Sequence, residues 1–224
     1  RPYVAKGLVA AVAASPLSLL PVGWMTGMSF KSILLLGLPA FVLAALLAVL
    51  LTLFRDPTVR AFLIFSRVLM GLFVLLLATA ALQHYFPIVL IPGMDSIEPQ
   101  LTIIGEIGLM LSGAFPLVLF IRRHLSRAVR GLACLLKTDE DAALGMVVSL
   151  ANPLPTYVMA NRMTNRGKVL CAAFSGPILT LLGDHLGYVT AVCPDAVMPL
   201  LAGKVSAAVG ALLLALILEK RMPS

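Results

Sequence analysis

The sequence predicts an all-α polytopic membrane protein with about six transmembrane helices, one re-entrant helical hairpin and one interfacial amphipathic helix. Three observations carry that prediction. Hydrophobic residues make up 60% of the chain and charged residues 12%, against about 25% charged in a soluble domain, and mean hydropathy is +1.03. Apolar runs of about 20 residues, enough to cross the hydrocarbon core as helix, recur along the chain. The basic residues segregate between alternate connecting segments, as the positive-inside rule requires of a threaded chain.

The elements follow in order. Residues 7–28 form a weak first span, interrupted by Pro16, Pro21 and Gly23. Residues 33–54 ("ILLLGLPAFVLAALLAVLLTLF") contain no charge, and "RDP" at 55–57 ends them, because proline cannot continue the ladder and biases the residue before it away from the helix. Residues 61–82 form a third span, with Arg67 near enough to its start to snorkel to the interface. The segment 83–100 contains no Lys or Arg, and residues 101–121 form a fourth span containing Glu106 and Pro116. "RRHLSRAVRGLACLLK" (122–137) holds five basic residues, with Leu125, Val129, Leu132, Leu135 and Leu136 at helical spacing. That pattern predicts a basic helix lying on anionic headgroups.

Residues 139–163 decide the topology. Thr138 followed by Asp139, Glu140 and Asp141 starts a helix, with acidic groups against the positive end of its dipole. "ANPLP" at 151–155 then breaks it, and each arm of about 10 to 13 residues reaches only mid-bilayer. The expectation is a re-entrant hairpin that enters and leaves on one face. Residues 169–193 then cross outward and 196–218 return. On this path 14 of the 17 Lys and Arg fall on one side, only Lys31 falls on the other, and Arg67 and Lys204 lie within spans. The fourteen, with the C-terminus, belong in the cytoplasm.

Ionised groups in lipid are costly and occur where protein or a water-filled cavity surrounds them. The candidates are Asp184 and His185 in "LGDHLG" (182–187), Glu106, Asn152 at the hairpin tip with Ser149 one turn earlier, and Lys204 beside Gly203. Each has a plainer reading. Asp184 and Lys204 suit a structural ion pair, His185 a packed hydrogen-bonding group, Glu106 the outer interface, and Asn152 a cap. Their concentration beside a broken helix favours a polar path, since half-helices meeting at the midplane form the sites of secondary transporters.

Other chemistry is not signalled. No nucleotide-binding, nucleophile-elbow or zinc-protease motif is present, so neither a cofactor nor catalysis is expected. Cys134, Cys171 and Cys193 have no ligand spacing, so no metal is expected. The net charge of +7 is topological and does not imply nucleic acid as a partner. No G-x-x-x-G stands out in a clean span, which leaves a homo-oligomer open.

"IPGMDSI" (91–97), "GEIGLMLSGAFPLVL" (105–119), "GMVVSLAN" (145–152), "RGKVLCAAF" (166–174), "LGDHLG" and "AGK" (202–204) resemble, in order and spacing, the ethanolamine permease family of bacterial ethanolamine-utilisation operons. The resemblance is specific from about residue 88 onward and only hydropathic before it, which divides the chain into N-terminal helices (1–87) and a transport region (88–224). Family members are roughly twice as long, so the resemblance implies a C-terminal half whose partner is the missing N-terminal half; the chain opens on Arg1-Pro2-Tyr3. It also implies uptake of ethanolamine across the bacterial inner membrane. Glu106, Asn152, Asp184, His185, Gly187 and Lys204 agree with the family pattern, whereas its paired asparagines become Asn152-Pro153 here.

On this reading Asp184 pairs with the substrate ammonium, and Glu106 provides a second carboxylate on the outer approach. Asn152, Ser149 or His185 bonds the substrate hydroxyl, and Lys204 holds Asp184 when the site is empty. Two rivals remain: a transporter of another small polar solute, and a membrane component that transports nothing.

Overall fold

A computed structural model describes residues 2–86, 90–93 and 96–220, and among these the chain forms only helices and their connections. The expected division at 87–88 falls outside the described residues, as do Arg1 and Arg221 of the charge count. Four stretches are long and apolar enough to cross a membrane: Tyr3–Met25, Phe30–Leu53, Asp56–Tyr85 and Pro194–Leu218. The protein is an all-helical polytopic membrane protein.

The prolines of the first span leave their mark without ending it. Helix α1 (Pro2–Ala14) passes through a 3₁₀ turn at Ser15–Ser18, with Pro16 near its start, into α2 (Leu19–Met25). Ser29 caps α3 (Phe30–Leu53) by accepting from the Ser32 N–H. After Leu53 the chain turns into α4 (Arg55–Tyr85), whose acidic first turn carries Asp56 against the positive end of the dipole. Helix α4 leaves large apolar side chains such as Phe62, Phe65 and Leu75 exposed, which suits a helix facing lipid. Helix α5 (Glu98–His124) follows, and it packs against α10.

Helix α6 (Ser126–Leu136) is the expected amphipathic element, shorter by a turn because Arg122 and Arg123 continue α5. Its apolar face is divided. Val129, Ala133 and Leu136 are buried, and Val129 and Ala133 cluster with Ala143 of the next helix. Leu125 and Leu135 remain exposed. Lys137, at a left-handed φ of 50°, closes the helix, and Arg166 donates to the Leu136 carbonyl from Nε and Nη2, each at 3.1 Å.

Helices α7 (Glu140–Ser149) and α8 (Pro153–Met159) form the expected helical pair, with Pro153 opening the second arm, the position where a missing N–H is harmless. Asp139 ties the two ends together. Its carboxylate accepts from the Ala142 N–H at 2.9 Å, the Thr164 N–H at 3.0 Å and the Thr164 hydroxyl at 2.6 Å. Burial alone raises the Asp139 carboxyl, but these donors reverse that and hold it below the usual carboxylate value. Thr156 links the arms again by donating to the Gly145 carbonyl at 2.8 Å.

The segment 169–193, expected to cross outward, forms as two helices, α9 (Asn165–Ile178) and α10 (Asp184–Val192), separated by an irregular stretch at 179–183. Pro177 removes a backbone donor at the end of α9, and Thr180 adopts φ 52°, a left-handed conformation costly for a β-branched residue. Helix α11 (Val197–Lys220) then runs unbroken. The core lies where α1, α9 and α11 meet, through small side chains: Ala10 and Ala14, Ala173, and Ala211 and Ala215. Small residues let helix backbones approach closely where no hydrophobic drive separates helix from lipid.

Candidate functional site

Two helix breaks dock against each other. The break between α7 and α8 offers carbonyls freed from helical pairing, and the break between α9 and α10 offers free N–H groups. Thr180 N–H donates to the Ser149 carbonyl at 3.0 Å, and Leu182 N–H donates to the Leu150 carbonyl at 2.7 Å. Backbone groups unpaired in lipid cost several kcal/mol each, so each break satisfies the other. Gly183 permits the approach: a Cβ there would lie 2.5 Å from the Ala151 carbonyl oxygen.

The polar side chains distribute around this junction unevenly. Lys204 reaches in from α11, its Nζ donating to the Leu179 carbonyl at 2.6 Å and lying 2.6 Å from His185 Nδ1. With the ammonium donating, the imidazole proton sits on Nε2. Leu179 ends α9, where unpaired carbonyls form the negative end of the helix dipole. Asp184 lies in the first turn of α10 and accepts from the His185 N–H at 2.9 Å. No Asp184–Lys204 ion pair forms among the described residues. The partners of Lys204 are the imidazole and the carbonyl.

Ser149 is fully buried and its hydroxyl donates to the Met146 carbonyl at 2.7 Å. Its main contribution is therefore the carbonyl that receives Thr180. Asn152 sits half-buried at the tip between α7 and α8 and is hydrogen-bonded there, its N–H donating to the Val148 carbonyl. Glu106 is exposed on α5, and its carboxylate meets no described partner. The structure thus gathers Ser149, Lys204, His185 and Asp184 at one junction, with Asn152 at its edge and Glu106 on a neighbouring helix.

Two groups at the junction are not evident from sequence patterns. One is the Leu179 carbonyl, and a backbone acceptor has no residue signature. The other is the Thr180 hydroxyl, which is buried and is the one buried side-chain polar atom without a partner among the described residues. The nearest sequence signal was "SGP" at 175–177 followed by Gly183, a weak warning that the helix does not continue. The described residues hold no cluster of His, Cys, Asp and Glu able to bind a metal ion.

Paired discontinuous helices meet at a polar junction inside an all-α polytopic bundle, which defines the class as a helical membrane protein with broken helices at its centre. Residues 1–218 match the family described as "Ethanolamine utilisation protein, EutH", and the chain belongs to that family. Relatives include the "Probable ethanolamine permease EutH" of Listeria monocytogenes, 31% identical over 220 residues, and the protein of the same name from Salmonella typhimurium, 31% identical over 241 residues. The "Uncharacterized protein YxeR" of Bacillus subtilis is 32% identical over 215 residues.

The alignments cover 98%, 97% and 94% of this chain, and 59%, 59% and 57% of the respective relatives. The chain therefore spans about three fifths of the length of these relatives. Two expectations change accordingly. The family match extends through the N-terminal helices, where only hydropathic likeness was expected. The lengths do not support a C-terminal half, since the covered share exceeds one half. No solved structure matches the chain.

Proposed function

We propose that this protein carries ethanolamine, as the protonated amine, inward across the bacterial inner membrane. The observation that supports the reading most is the junction itself: two broken helices present a carboxylate, an imidazole and a helix-terminal carbonyl together, in a chain whose relatives bear the name of a probable ethanolamine permease. In this reading α7 and α8 form a re-entrant hairpin, α6 lies at the interface, and α9 and α10 together make one crossing. That arrangement gives six spans with a cytoplasmic C-terminus.

Ethanolamine has a cationic end with three donors and a hydroxyl end with one donor and two acceptors. A cation out of water needs a countercharge and acceptors. Asp184 supplies the charge, and His185 Nδ1 and the Leu179 carbonyl supply acceptors. Asn152 and the unpartnered Thr180 hydroxyl serve the substrate hydroxyl. Glu106 attracts the cation on the outer approach. Ser149 acts through its carbonyl, holding the two breaks together.

The experiment is uptake of labelled ethanolamine by cells expressing the protein, at low external concentration and low pH, where diffusion of the neutral amine is smallest. Asp184→Asn should lose at least tenfold in uptake at unchanged membrane abundance, the loss expected when about 1.4 kcal/mol of charge pairing disappears. Undiminished uptake by that variant would refute the role given to Asp184. Cells without the protein taking up as much would refute the permease reading.

A further inference from the structure

We propose that Lys204 is a tethered stand-in for the substrate: its ammonium occupies the position the ethanolamine ammonium takes, and it must leave for the substrate to bind. The inference rests on the amine-permease reading and deepens it by assigning the empty state of that site.

The geometry is that of a filled ammonium site. Lys204 Nζ lies 2.6 Å from a carbonyl oxygen and 2.6 Å from an imidazole nitrogen, the short distances of charge-assisted hydrogen bonds. The carbonyl belongs to Leu179, at the negative end of α9. Asp184 supplies a carboxylate at the start of α10. Both acceptors and the carboxylate lie on the broken helix, whereas the ammonium comes from α11, 25 residues from Leu179 and 19 from His185.

A primary alkylammonium in solution has the same charge, the same three N–H donors and the same size at its head. Two ammonium groups cannot share these acceptors, because the two donor positions are already filled and like charges a few ångströms apart repel. A bound amine therefore displaces Lys204.

The arrangement has a plain use. Emptying a site that binds a cation leaves a carboxylate, a helix-terminal carbonyl and an imidazole unpaired inside the membrane, an expensive state. A resident ammonium on a flexible four-carbon stem pairs the carbonyl and the imidazole between substrates and brings a positive charge to the side of the junction that holds the carboxylate. Gly203 makes α11 lie close at this point: a Cβ there would approach the Val22 side chain at 2.8 Å and the Ser18 carbonyl at 3.1 Å. The stem therefore starts from a fixed backbone, and only the side chain needs to move.

The test measures binding of ethanolammonium and of methylammonium to purified wild type and to K204M, together with the melting temperature as each amine is added. Competition reduces apparent affinity by the fraction of molecules whose site is free. K204M should therefore bind both amines about tenfold or more tightly than wild type, as expected when at most about a tenth of wild-type molecules have an open site. Its melting temperature should start below that of wild type and recover as amine is added. If K204M does not purify folded, K204Q carries the test, and folding of either variant only in the presence of millimolar amine supports the proposal.

Amine binding to both variants that is unchanged or weaker than to wild type, or misfolding that no amine corrects, overturns it. The underlying reading fails separately. Tighter methylammonium binding by K204M, with no ethanolamine transport by wild type, leaves the stand-in role intact and removes ethanolamine as the substrate.

Discussion

Replacing Gly183 with alanine tests the docking of the two helix breaks. A Cβ at this position would sit 2.5 Å from the Ala151 carbonyl oxygen, where ordinary contact begins at 3.4 Å, so the backbones must part by roughly 0.9 Å. The obstruction is main chain on both sides and no rotamer change relieves it. The same displacement stretches the Leu182 N–H to Leu150 carbonyl bond from 2.7 Å to about 3.6 Å, beyond useful hydrogen-bond length. Overpacking costs about 1–3 kcal/mol, and a buried backbone pair left unmade adds about 1–3 kcal/mol. Because separation relieves part of the clash, the expected total is about 2–4 kcal/mol, or roughly 5–15 °C in melting temperature for a chain of this size. The assay is thermal unfolding of purified protein beside ethanolamine uptake. Gly71→Ala is the control, since nothing lies within 4 Å of its Cβ. A Gly183→Ala protein that melts and transports like the Gly71→Ala protein would refute the docking of the two breaks.

Three further outcomes are expected. Asp139→Asn should lower stability near neutral pH by about 1–2 kcal/mol, because the amide keeps an oxygen for the Ala142 N–H but puts a donor where the second oxygen accepts from Thr164. The folded carboxyl titrates below its ordinary value of 3.8, so its contribution is present above that value and disappears as pH falls through the folded pKa. Melting curves of wild type and variant should therefore converge in strong acid and stay apart at pH 6. Thr180→Val removes a buried hydroxyl that has no partner while keeping its shape, so melting should stay level or rise by up to about 1 kcal/mol. Uptake should fall, and unchanged uptake would count against a substrate role for that hydroxyl. Single cysteines placed by Ser96→Cys and Asn161→Cys should react with an impermeant reagent from opposite faces, and reaction from one face would break the topology.

The helical pair at 139–163 was legible because its signals are local. A capping aspartate, an acidic first turn and two prolines at the tip act within a few residues of themselves. The break at 179–183 was not legible. Apart from Pro177, what holds it open is tertiary: the carbonyls of Ser149 and Leu150, 31 and 32 residues earlier, accept the N–H groups of Thr180 and Leu182. Hydropathy registers only that Leu179, Leu181 and Leu182 are apolar. The partner of Lys204 was missed for the same reason. The sequence places Asp184 and His185 side by side, and which of them faces α11 depends on how α10 restarts after the break. Periodicity showed that α6 has an apolar face but not what covers it, and Ala143 takes part of the surface expected to meet lipid.

The central claim is that substrate sits where the two breaks meet. The direct measurement is the rate at which a cysteine at the junction is alkylated. Leu182→Cys provides the probe, in protein whose Cys134, Cys171 and Cys193 have been replaced, with Ser96→Cys in the same background as reference. Saturating ethanolamine should slow alkylation at position 182 severalfold and leave position 96 unchanged. Equal rates at position 182 with and without ethanolamine, in protein that still transports it, would contradict the account.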